Sequence, residues 1–244
     1  MMEFDIVILV GPNDYQIFKK SIEYTKKNII GYRNIYIVSP VDQKVDGTIF
    51  VDEKMFCISM NTVRRFHGEN SRNGWYFQQL MKLYAGKCIP NLLTNYLVID
   101  ADTCFLKPTR FFDEDNKPYF TVGYEYNNEY FVHMNVLHPS FKRRHTHSGI
   151  SHHCMFNQIY IKEIMYLVHL HHNKPFYQVF LESVSKSYIT GAGASEYEIY
   201  FHYLVQYYLD KISIRELKWD NMNTIPDEDT EHDYISCHHW LSSI

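Results

Sequence analysis

Long apolar runs are missing from this chain of 244 residues. No stretch approaches the roughly 20 apolar residues that a membrane helix needs, so we expect no integral membrane segment. The first apolar run, Ile6–Val10, has only the length of a strand and follows no basic leader, so no secretory signal is predicted. These absences predict a soluble, cytoplasmic protein. The abundance of Tyr, Ile, Asn and Lys is typical of an AT-rich genome, such as that of a low-GC microbe or a large DNA virus, and for a virus the compartment is the host cytoplasm.

Cysteine pairs and an excess of positive charge are also missing. The five cysteines are scattered and form no C-x-x-C pair, so neither a disulfide framework nor a zinc knuckle is indicated. The formal net charge is -4 with histidine neutral, so no overall basic field recruits nucleic acid or an anionic membrane. We therefore expect a reducing compartment and no nucleic-acid partner.

The glycine-rich phosphate loops of common nucleotide-binding proteins are absent. No G-x-G-x-x-G follows the first predicted strand, and no G-x-x-x-x-G-K-S/T occurs anywhere in the chain. This pattern argues against a Rossmann dehydrogenase and against a P-loop enzyme.

What the N-terminal part of the chain does contain is the pattern of a parallel sheet. Asp5–Val10 and Ile35–Val38 are short apolar runs of the kind that form strands buried on both faces, and Thr48–Val51 is a candidate third strand. A helical pattern separates the first two, which predicts a βαβ unit with parallel strands. Ligands bind beyond the carboxyl ends of such strands, so we expect Val10 and Gly11 to lie beside a ligand.

Two aspartates one residue apart follow a central apolar run. Tyr96–Ile99 predicts a buried strand, and Asp100 and Asp102 come directly after it. Buried carboxylates are usually paired or bound to a metal, and Mg²⁺ or Mn²⁺ binds carboxylate and phosphate oxygens. One hypothesis is a divalent cation that holds a diphosphate at this strand end, and the alternative is a solvated acidic turn.

The segment before these aspartates predicts a helix over Gly74–Tyr84, preceded by a loop over Arg64–Gly74. The apolar spacing places Lys82 off the buried face of that helix, where it is either a solvated lysine or a cation for donor phosphates. Gln78 and Gln79 lie side by side, and either one of them binds a ligand or both lie at the surface.

The middle of the chain offers polar candidates between further elements. The predicted elements are a strand at Tyr119–Gly123, a helix at Glu129–Leu137 and a helix from about Asn157 to Leu170. The basic segment Lys142–His147 is predicted to be a solvated loop. His152 and His153 are interpreted either as residues before a helix start, where donors to an anion gather, or as turn residues.

A capping motif marks another helix start. Ser195 followed by Glu198 predicts a capping box, in which the Glu198 side chain reaches back to the Ser195 amide. Glu196 in the first turn either stabilises the helix dipole or acts as a general base beside a cleft.

The tail, Tyr234–Trp240, predicts a short strand that carries His238 and His239. The acidic pair still lacks a third protein ligand, and imidazole is an acceptable ligand for Mn²⁺.

Five of these segments occur in an order that resembles a known group. They are Gly74–Leu83, Leu97–Thr103, Ser148–His153, Ser195–Glu198 and Tyr234–Trp240. The chain resembles an uncharacterised group of glycosyltransferase-like proteins with the GT-A fold, related to the Asp-x-Asp nucleotide-sugar transferases, over Ile6–Trp240. The resemblance implies a single α/β domain over residues 1–244, with a Rossmann-like, mostly parallel central sheet flanked by helices.

The resemblance also implies roles on the donor side. Asp102 binds Mn²⁺ (or Mg²⁺) directly, Asp100 contacts the ribose or supports the metal, and His238 completes the metal shell, with His239 as the alternative. Gln79 and Lys82 face the nucleotide-sugar donor, as do Val10, Gly11 and Ala101 at the strand ends.

On the acceptor side, the resemblance implies that His152 and Glu196 face a carbohydrate or glycan acceptor. Glu196 is the candidate base for an inverting reaction, which takes the proton of the acceptor hydroxyl. UDP is the nucleotide that the resemblance favours, with UDP-GlcNAc as the first guess at the donor.

Two alternatives belong to other functional classes. A phosphatase of the haloacid dehalogenase type also places Asp-x-Asp after an apolar strand, and Asp227–Asp229 resembles its distal acidic motif. That pattern, however, has Thr or Val where this chain has Cys104, and it usually lies on the first strand. The second alternative is a non-catalytic nucleotide-sugar-binding domain on the same fold.

Overall fold

A computed structural model of the protein describes residues 2–226 and 231–237. Its strands are β1 (Phe4–Leu9), β2 (Ile29–Ile30), β3 (Tyr32–Ser39), β4 (Ile49–Asp52), β5 (Asn95–Asp100), β6 (Thr103–Phe105), β7 (Thr109–Arg110), β8 (Tyr119–Thr121), β9 (His153–Asn157), β10 (Ser213–Arg215), β11 (Trp219–Asn221) and β12 (Tyr234–Ser236). Its α-helices are α1 (Tyr15–Asn28), α2 (Met60–His67), α3 (Asn73–Cys88), α4 (Asn128–Leu137), α5 (Gln158–His172), α6 (Phe176–Glu182) and α7 (Glu196–Tyr207).

The central sheet has five strands in the order β4-β3-β1-β5-β9. The pairs formed among β4, β3, β1 and β5 are parallel, and β9 joins the edge of β5 in the antiparallel direction. The chain passes from β1 through α1 to the parallel strand β3, as predicted. The fold class predicted from the sequence, a Rossmann-like α/β domain with a mostly parallel sheet and flanking helices, is confirmed.

Successive residues of each strand point to opposite sides of the sheet. Both sides are covered by other elements, so both sets of side chains are buried. On β1, Ile6 and Ile8 pack with Phe18 of α1 in one apolar cluster. Val7 and Leu9 belong to a larger cluster on the other face, which includes side chains from α3, α5 and α7. The continuous apolar sequence of β1 is therefore explained by cover on both sides.

Smaller sheets extend the fold beside the central one. In one of them, β12 pairs with β6 in the antiparallel direction and with β11 in the parallel direction. This arrangement places Ser236 opposite Thr103, directly after the two aspartates. Within the part of the chain that the structure describes, no helix has the length and apolarity that a bilayer crossing requires.

Two predictions about these elements were wrong. Arg64–Gly74 is not one loop, because α2 runs to His67 and α3 begins at Asn73. The start of α2 is capped by Ser59 with Thr62 instead of Glu or Gln, which hid the capping box from the sequence pattern. The helix start does not follow His152 and His153 directly either, because the short apolar run after them forms β9 and α5 begins only at Gln158.

Candidate functional site

The carboxyl ends of β1 and β5 lie side by side. Leu9 on β1 pairs with Asp100 on β5, so Val10 and Gly11 leave the sheet next to the Asp100–Asp102 turn. The Val10 side chain is buried, and its amide donates to the carbonyl of Val38 at 2.8 Å. The expected meeting of the two strand ends is therefore present, with Val10 contributing backbone to that edge.

The Asp-Ala-Asp turn is held in place from two neighbouring elements. Ser21 on α1 donates its hydroxyl to the carbonyl of Ala101 at 2.6 Å. From the other side, the amide of Cys237 donates to the carbonyl of Asp102 at 2.9 Å, and the hydroxyl of Ser236 donates to Asp102 Oδ1 at 3.0 Å. Asp102 is buried, and its position is fixed by a strand from the end of the chain.

Lys82 lies at the centre of the site. Its Nζ donates to Asp100 Oδ1 at 2.7 Å and to Glu196 Oε1 at 2.8 Å. Burial acts against the charged ammonium, but the two carboxylates outweigh it and hold the pKa of Lys82 above its ordinary value. The prediction that Lys82 lies off the buried face was wrong: the residue is 7% exposed and is a buried ion-pair partner.

Tyr197 completes the bonding of that ammonium and was missed in the sequence. Its hydroxyl accepts from Lys82 Nζ at 3.0 Å and donates to Asp100 Oδ1 at 2.9 Å. Its ring centre lies 4.2 Å from the same Nζ, within cation–π range. The signal that could have found it is its position in the first turn of α7, directly after Glu196.

Asp100 is ionised in this arrangement. It is buried enough for desolvation to oppose its charge, but Lys82 and His152 outweigh that effect and hold its pKa well below the ordinary value. The Asp100 side chain is 25% exposed, whereas the Glu196 side chain is 5% exposed. Asp100 is thus the carboxylate of this pair that reaches solvent.

Glu196 has the opposite balance. Burial raises its pKa, Lys82 opposes this, and the negative charge of Asp100 adds to the increase. One ammonium cannot fully neutralise two carboxylates, so the more buried one is the better proton acceptor. The backbone amide of Glu196 donates to Gln79 Oε1 at 3.1 Å.

Gln79 is 2% exposed and therefore is not part of a surface pair. Its Nε2 group is buried and has no hydrogen-bond partner among the residues that the structure describes. This amide therefore has one satisfied oxygen, at the backbone of Glu196, and one buried donor that lacks a partner among the described residues.

His152 adopts a left-handed backbone conformation with φ of 61°. Its carbonyl accepts from the amide of Asp100 at 2.9 Å, and its Nδ1 lies 3.4 Å from Asp100 Oδ2. Its ring packs edge-on against Trp219 with centroids 5.0 Å apart. The imidazole therefore lies beside the partly exposed oxygen of Asp100.

The capping box at α7 is formed only in part. Ser195 accepts from the amide of Glu198 at 3.3 Å, as expected for the cap. The Glu198 carboxylate does not reach back to the Ser195 amide, because it accepts from the Ser148 hydroxyl at 2.7 Å and from the Gly149 amide at 3.0 Å. These two bonds join α7 to a distant loop, and His202 on the same helix lies 3.2 Å from the Glu198 carboxylate.

Residues 4–208 match the model of a family that is described as "Family of unknown function (DUF6492)". The chain belongs to this family. The match includes the whole Lys82, Asp100, Glu196 and Tyr197 cluster, whereas β11 and β12 lie beyond it. A search of curated proteins gives no match.

The predicted metal site lies only partly within the described residues. Within residues 2–226 and 231–237, no group of three or more His, Cys, Asp or Glu side chains is arranged to hold an ion. The predicted ligands His238 and His239 lie outside the described residues. Asp100 lies beside the ammonium of Lys82, and Asp102 follows two residues later, so both predicted carboxylate ligands are at the end of β5.

Proposed function

We propose that this protein is a metal-dependent glycosyltransferase. It moves a sugar from a nucleotide-sugar donor, with UDP-GlcNAc as the first donor to test, to a hydroxyl of a carbohydrate acceptor, with inversion at the sugar carbon. The observation that supports this most directly is the contact of Lys82 with both Asp100 and Glu196 at the carboxyl end of β5, with Asp102 two residues beyond Asp100.

The donor side of the proposal rests on position and charge. Ligands of open parallel sheets bind beyond the carboxyl ends of the strands, which here carry Val10, Gly11 and the Asp100–Asp102 turn. Asp102 and Asp100 would hold Mn²⁺ or Mg²⁺, and the bound cation would neutralise the charge of the leaving diphosphate. The unpartnered amide of Gln79 is a further donor for the ligand.

The acceptor side rests on Glu196. A general base works best when its pKa is near the working pH, and burial moves the pKa of Glu196 in that direction. Gln79 holds the Glu196 backbone, and Lys82 holds one carboxylate oxygen, so the base has a fixed position. We assign to it removal of the proton from the acceptor hydroxyl, with His152 beside Asp100 on the same side.

The first test is a thermal-shift panel of nucleotide sugars with Mn²⁺ and with a chelator. A donor at a hundredfold excess over its dissociation constant should add about 2.7 kcal/mol to the free energy of unfolding. Asp102→Asn should abolish the metal-dependent part of the shift. Asp115→Asn should not, because it changes an exposed aspartate close to Phe112, whose ring packs on Phe4 at the amino end of β1. An equal shift in the chelator and in Asp102→Asn would overturn the metal assignment.

The second test separates catalysis from binding. Glu196→Gln should keep donor binding but lower turnover by about 10²–10⁴-fold, the usual contribution of a general base. Unchanged turnover would remove Glu196 from this role, and NMR of the product anomer tests inversion.

One observation favours a second function, a nucleotide-sugar-binding domain without turnover. Lys82 already bonds both Asp100 and Glu196, and a neutralised carboxylate is a weaker base. Metal-dependent donor binding with no turnover on any acceptor would support this alternative. For the phosphatase alternative, Asp227–Asp229 lies outside the described residues, and hydrolysis of p-nitrophenyl phosphate that is lost in Asp100→Asn would support it.

A further inference from the structure

Three consecutive cations occupy an exposed loop that the proposed reaction does not use. Lys142, Arg143 and Arg144 are all exposed, and none forms a salt bridge with a carboxylate in the part of the chain that the structure describes. They belong to a surface that we call the basic aromatic surface. It consists of Tyr124, Tyr126, Phe131 and the loop Lys142–His147. Glu125 lies between the two tyrosines and Glu216 is bonded to Tyr124, so the three cations exceed the neighbouring carboxylates by one in a protein with a net charge of -4.

Arg143 is held in place by aromatic rings. Its guanidinium carbon lies 4.7 Å from the ring centre of Tyr126 and 5.3 Å from that of Phe131. One of its terminal nitrogens donates to the carbonyl of Thr146. Arg143, Arg144, His145 and Thr146 line a wide, open depression of about 410 Å³. Because a guanidinium presents a planar set of donors that matches a carboxylate, a fixed and unneutralised arginine at the surface is suited to an acidic ligand.

Two tyrosines beside these cations are unusually exposed. Tyr124 has 73% of its surface exposed and Tyr126 has 58%. Tyr124 packs edge-on against His147 at 5.2 Å and donates its hydroxyl to Glu216 at 3.2 Å, so its position is fixed as well. Exposed rings with a polar tip offer an apolar face for the C–H groups of a sugar and hydrogen bonding at the edge.

The basic aromatic surface is attached to the helix that carries Glu196. Gly123 forms an isolated bridge with Ser148, which connects the two segments of the surface. Ser148 and Gly149 donate to Glu198, in the same first turn of α7 as Glu196.

Two further contacts strengthen this attachment. A Cβ on Gly149 would lie 2.9 Å from the carbonyl of Tyr197, so only glycine allows the loop to come this close to α7. Asn127 donates to the carbonyl of Ala192 at 2.8 Å, just before the helix begins. The surface therefore adjoins the side of the site that we assign to the acceptor.

From these observations we propose that the basic aromatic surface binds an acidic oligosaccharide, which is the acceptor of the transfer. The role of this oligosaccharide as acceptor rests on the proposed function. Its binding to the surface does not depend on that function. The acidic groups pair with Arg143 and Arg144, and the sugar rings pack on Tyr124 and Tyr126. A short patch of three cations suits a short charged glycan better than a nucleic acid, which needs an extended basic surface.

The test is isothermal titration calorimetry without donor and without metal. The probes are a galacturonate hexasaccharide, a sulfated heparin-derived hexasaccharide, neutral cellohexaose and a thymidylate hexamer. We expect the acidic hexasaccharides to bind and cellohexaose to bind at least tenfold more weakly, with the galacturonate and heparin arms showing which acidic group is preferred. Affinity should fall as salt rises, because exposed charges are screened.

Arg143→Gln should weaken binding of the preferred acidic hexasaccharide by about tenfold, the loss expected for one charge-assisted hydrogen bond. Lys142→Gln, at an exposed side chain, should weaken it less and serves as the variant least able to disturb the loop. The matched control is Arg65→Gln on α2, an exposed arginine outside this surface, which should leave binding unchanged.

Three results would overturn the proposal: equal binding by Arg143→Gln, Lys142→Gln and the wild type, equal binding of cellohexaose, or tighter binding of the thymidylate hexamer. Failure of the proposed function is seen separately. The metal-dependent thermal shift by a nucleotide sugar should persist in Arg143→Gln and vanish in Asp102→Asn, whatever the result with the hexasaccharides.

Discussion

Carboxylates lie at both ends of the central strands β1 and β5, and the two ends are built differently. Asp5 is near the amino end of β1, and Asp100 is at the carboxyl end of β5. At the amino end of β1, Asp5 is fully buried and accepts from Arg33 through both Nε at 3.0 Å and Nη2 at 2.7 Å. The amides of Asn34 and Leu93 donate to the same carboxylate at 3.1 and 2.8 Å. One anion therefore meets one cation and two amides, and its hydrogen-bonding capacity is filled.

The carboxyl end has no such balance. Asp100 and Glu196 share the single ammonium of Lys82, and Asp102 follows two residues later. Asp100 keeps part of its exposure, and the Gln79 amide nitrogen has no partner among the described residues. The comparison teaches that the carboxylate at the amino end is fully paired within the fold, whereas the carboxyl end has two carboxylates on one ammonium and a buried amide donor without a partner among the described residues.

Lys82→Met gives the largest expected effect and tests the carboxyl end. Removing one partner of a buried ion pair leaves an uncompensated charge and typically costs about 3–5 kcal/mol of the free energy of unfolding. Urea unfolding at pH 7 measures it. Lys87→Met, at an exposed position near the end of the same helix, should change stability by less than about 0.5 kcal/mol. Equal losses in the two variants would show that Lys82 does not hold the site together.

Asp5→Asn tests the amino end and should cost less, about 2 kcal/mol, because an amide NH₂ then faces buried donors while Arg33 stays partly solvated. The same unfolding assay measures it. Any metal-dependent nucleotide-sugar shift seen in the wild type should be unchanged in this variant. Loss of that shift would erase the distinction between the two ends.

Tyr197→Phe sharpens the account of the carboxyl end. It removes the hydroxyl that bonds both Lys82 and Asp100 but keeps the ring beside the ammonium. We expect a loss of about 1 kcal/mol in unfolding free energy, the usual net value of a hydrogen bond. A loss as large as that of Lys82→Met would mean that the hydroxyl, and not the ammonium, is the centre of the cluster.

The smallest expected effect is in the pH dependence of stability, where Asp100 and Glu196 should contribute with opposite signs. The pKa of Asp100 is lowered on folding, so its contribution is present above the ordinary pKa and is lost as the pH falls. The pKa of Glu196 is raised on folding, so its contribution is present at low pH and is lost as the pH rises through the folded value.

The measurement is urea unfolding of Asp100→Asn and Glu196→Gln from pH 3 to pH 7. The cost of Asp100→Asn should grow as the pH rises from 3 to 5, whereas Glu196→Gln should become more stable relative to the wild type as the pH rises above 4.5. Parallel slopes for the two variants would contradict the unequal sharing of Lys82.

Much of the fold could be predicted because its strands are apolar on both faces. The runs at Ile35–Val38 and Tyr96–Ile99 lie within observed strands, and the run at Asp5–Val10 extends one residue past β1. The strand order and the antiparallel edge strand β9 could not be predicted, because they depend on contacts between segments that are distant in the chain. The short apolar run of β9 also shows no periodicity that separates a strand from the start of a helix.

The site was only partly predictable for a related reason. A polar pair after a buried strand indicated Asp100 and Asp102, and the capping motif indicated where Glu196 lies. Lys82 was predicted to lie off the buried face because helical spacing assumes one apolar face, whereas α3 is buried on most sides. A lysine can lie inside such a helix only if carboxylates meet it, and those come from residues 18 and 114 positions away.

The backbone at His152 has a cost that its neighbours explain. A non-glycine residue with φ of 61° is held in a conformation that glycine or asparagine adopts with less strain. Selection for stability alone would favour one of those residues at this bend. The chain instead keeps a side chain that is large, aromatic and able to carry a proton, at the one point where it meets both the outer oxygen of Asp100 and the ring of Trp219. The backbone at this position is therefore strained, and the strain places the His152 imidazole against Asp100 and Trp219.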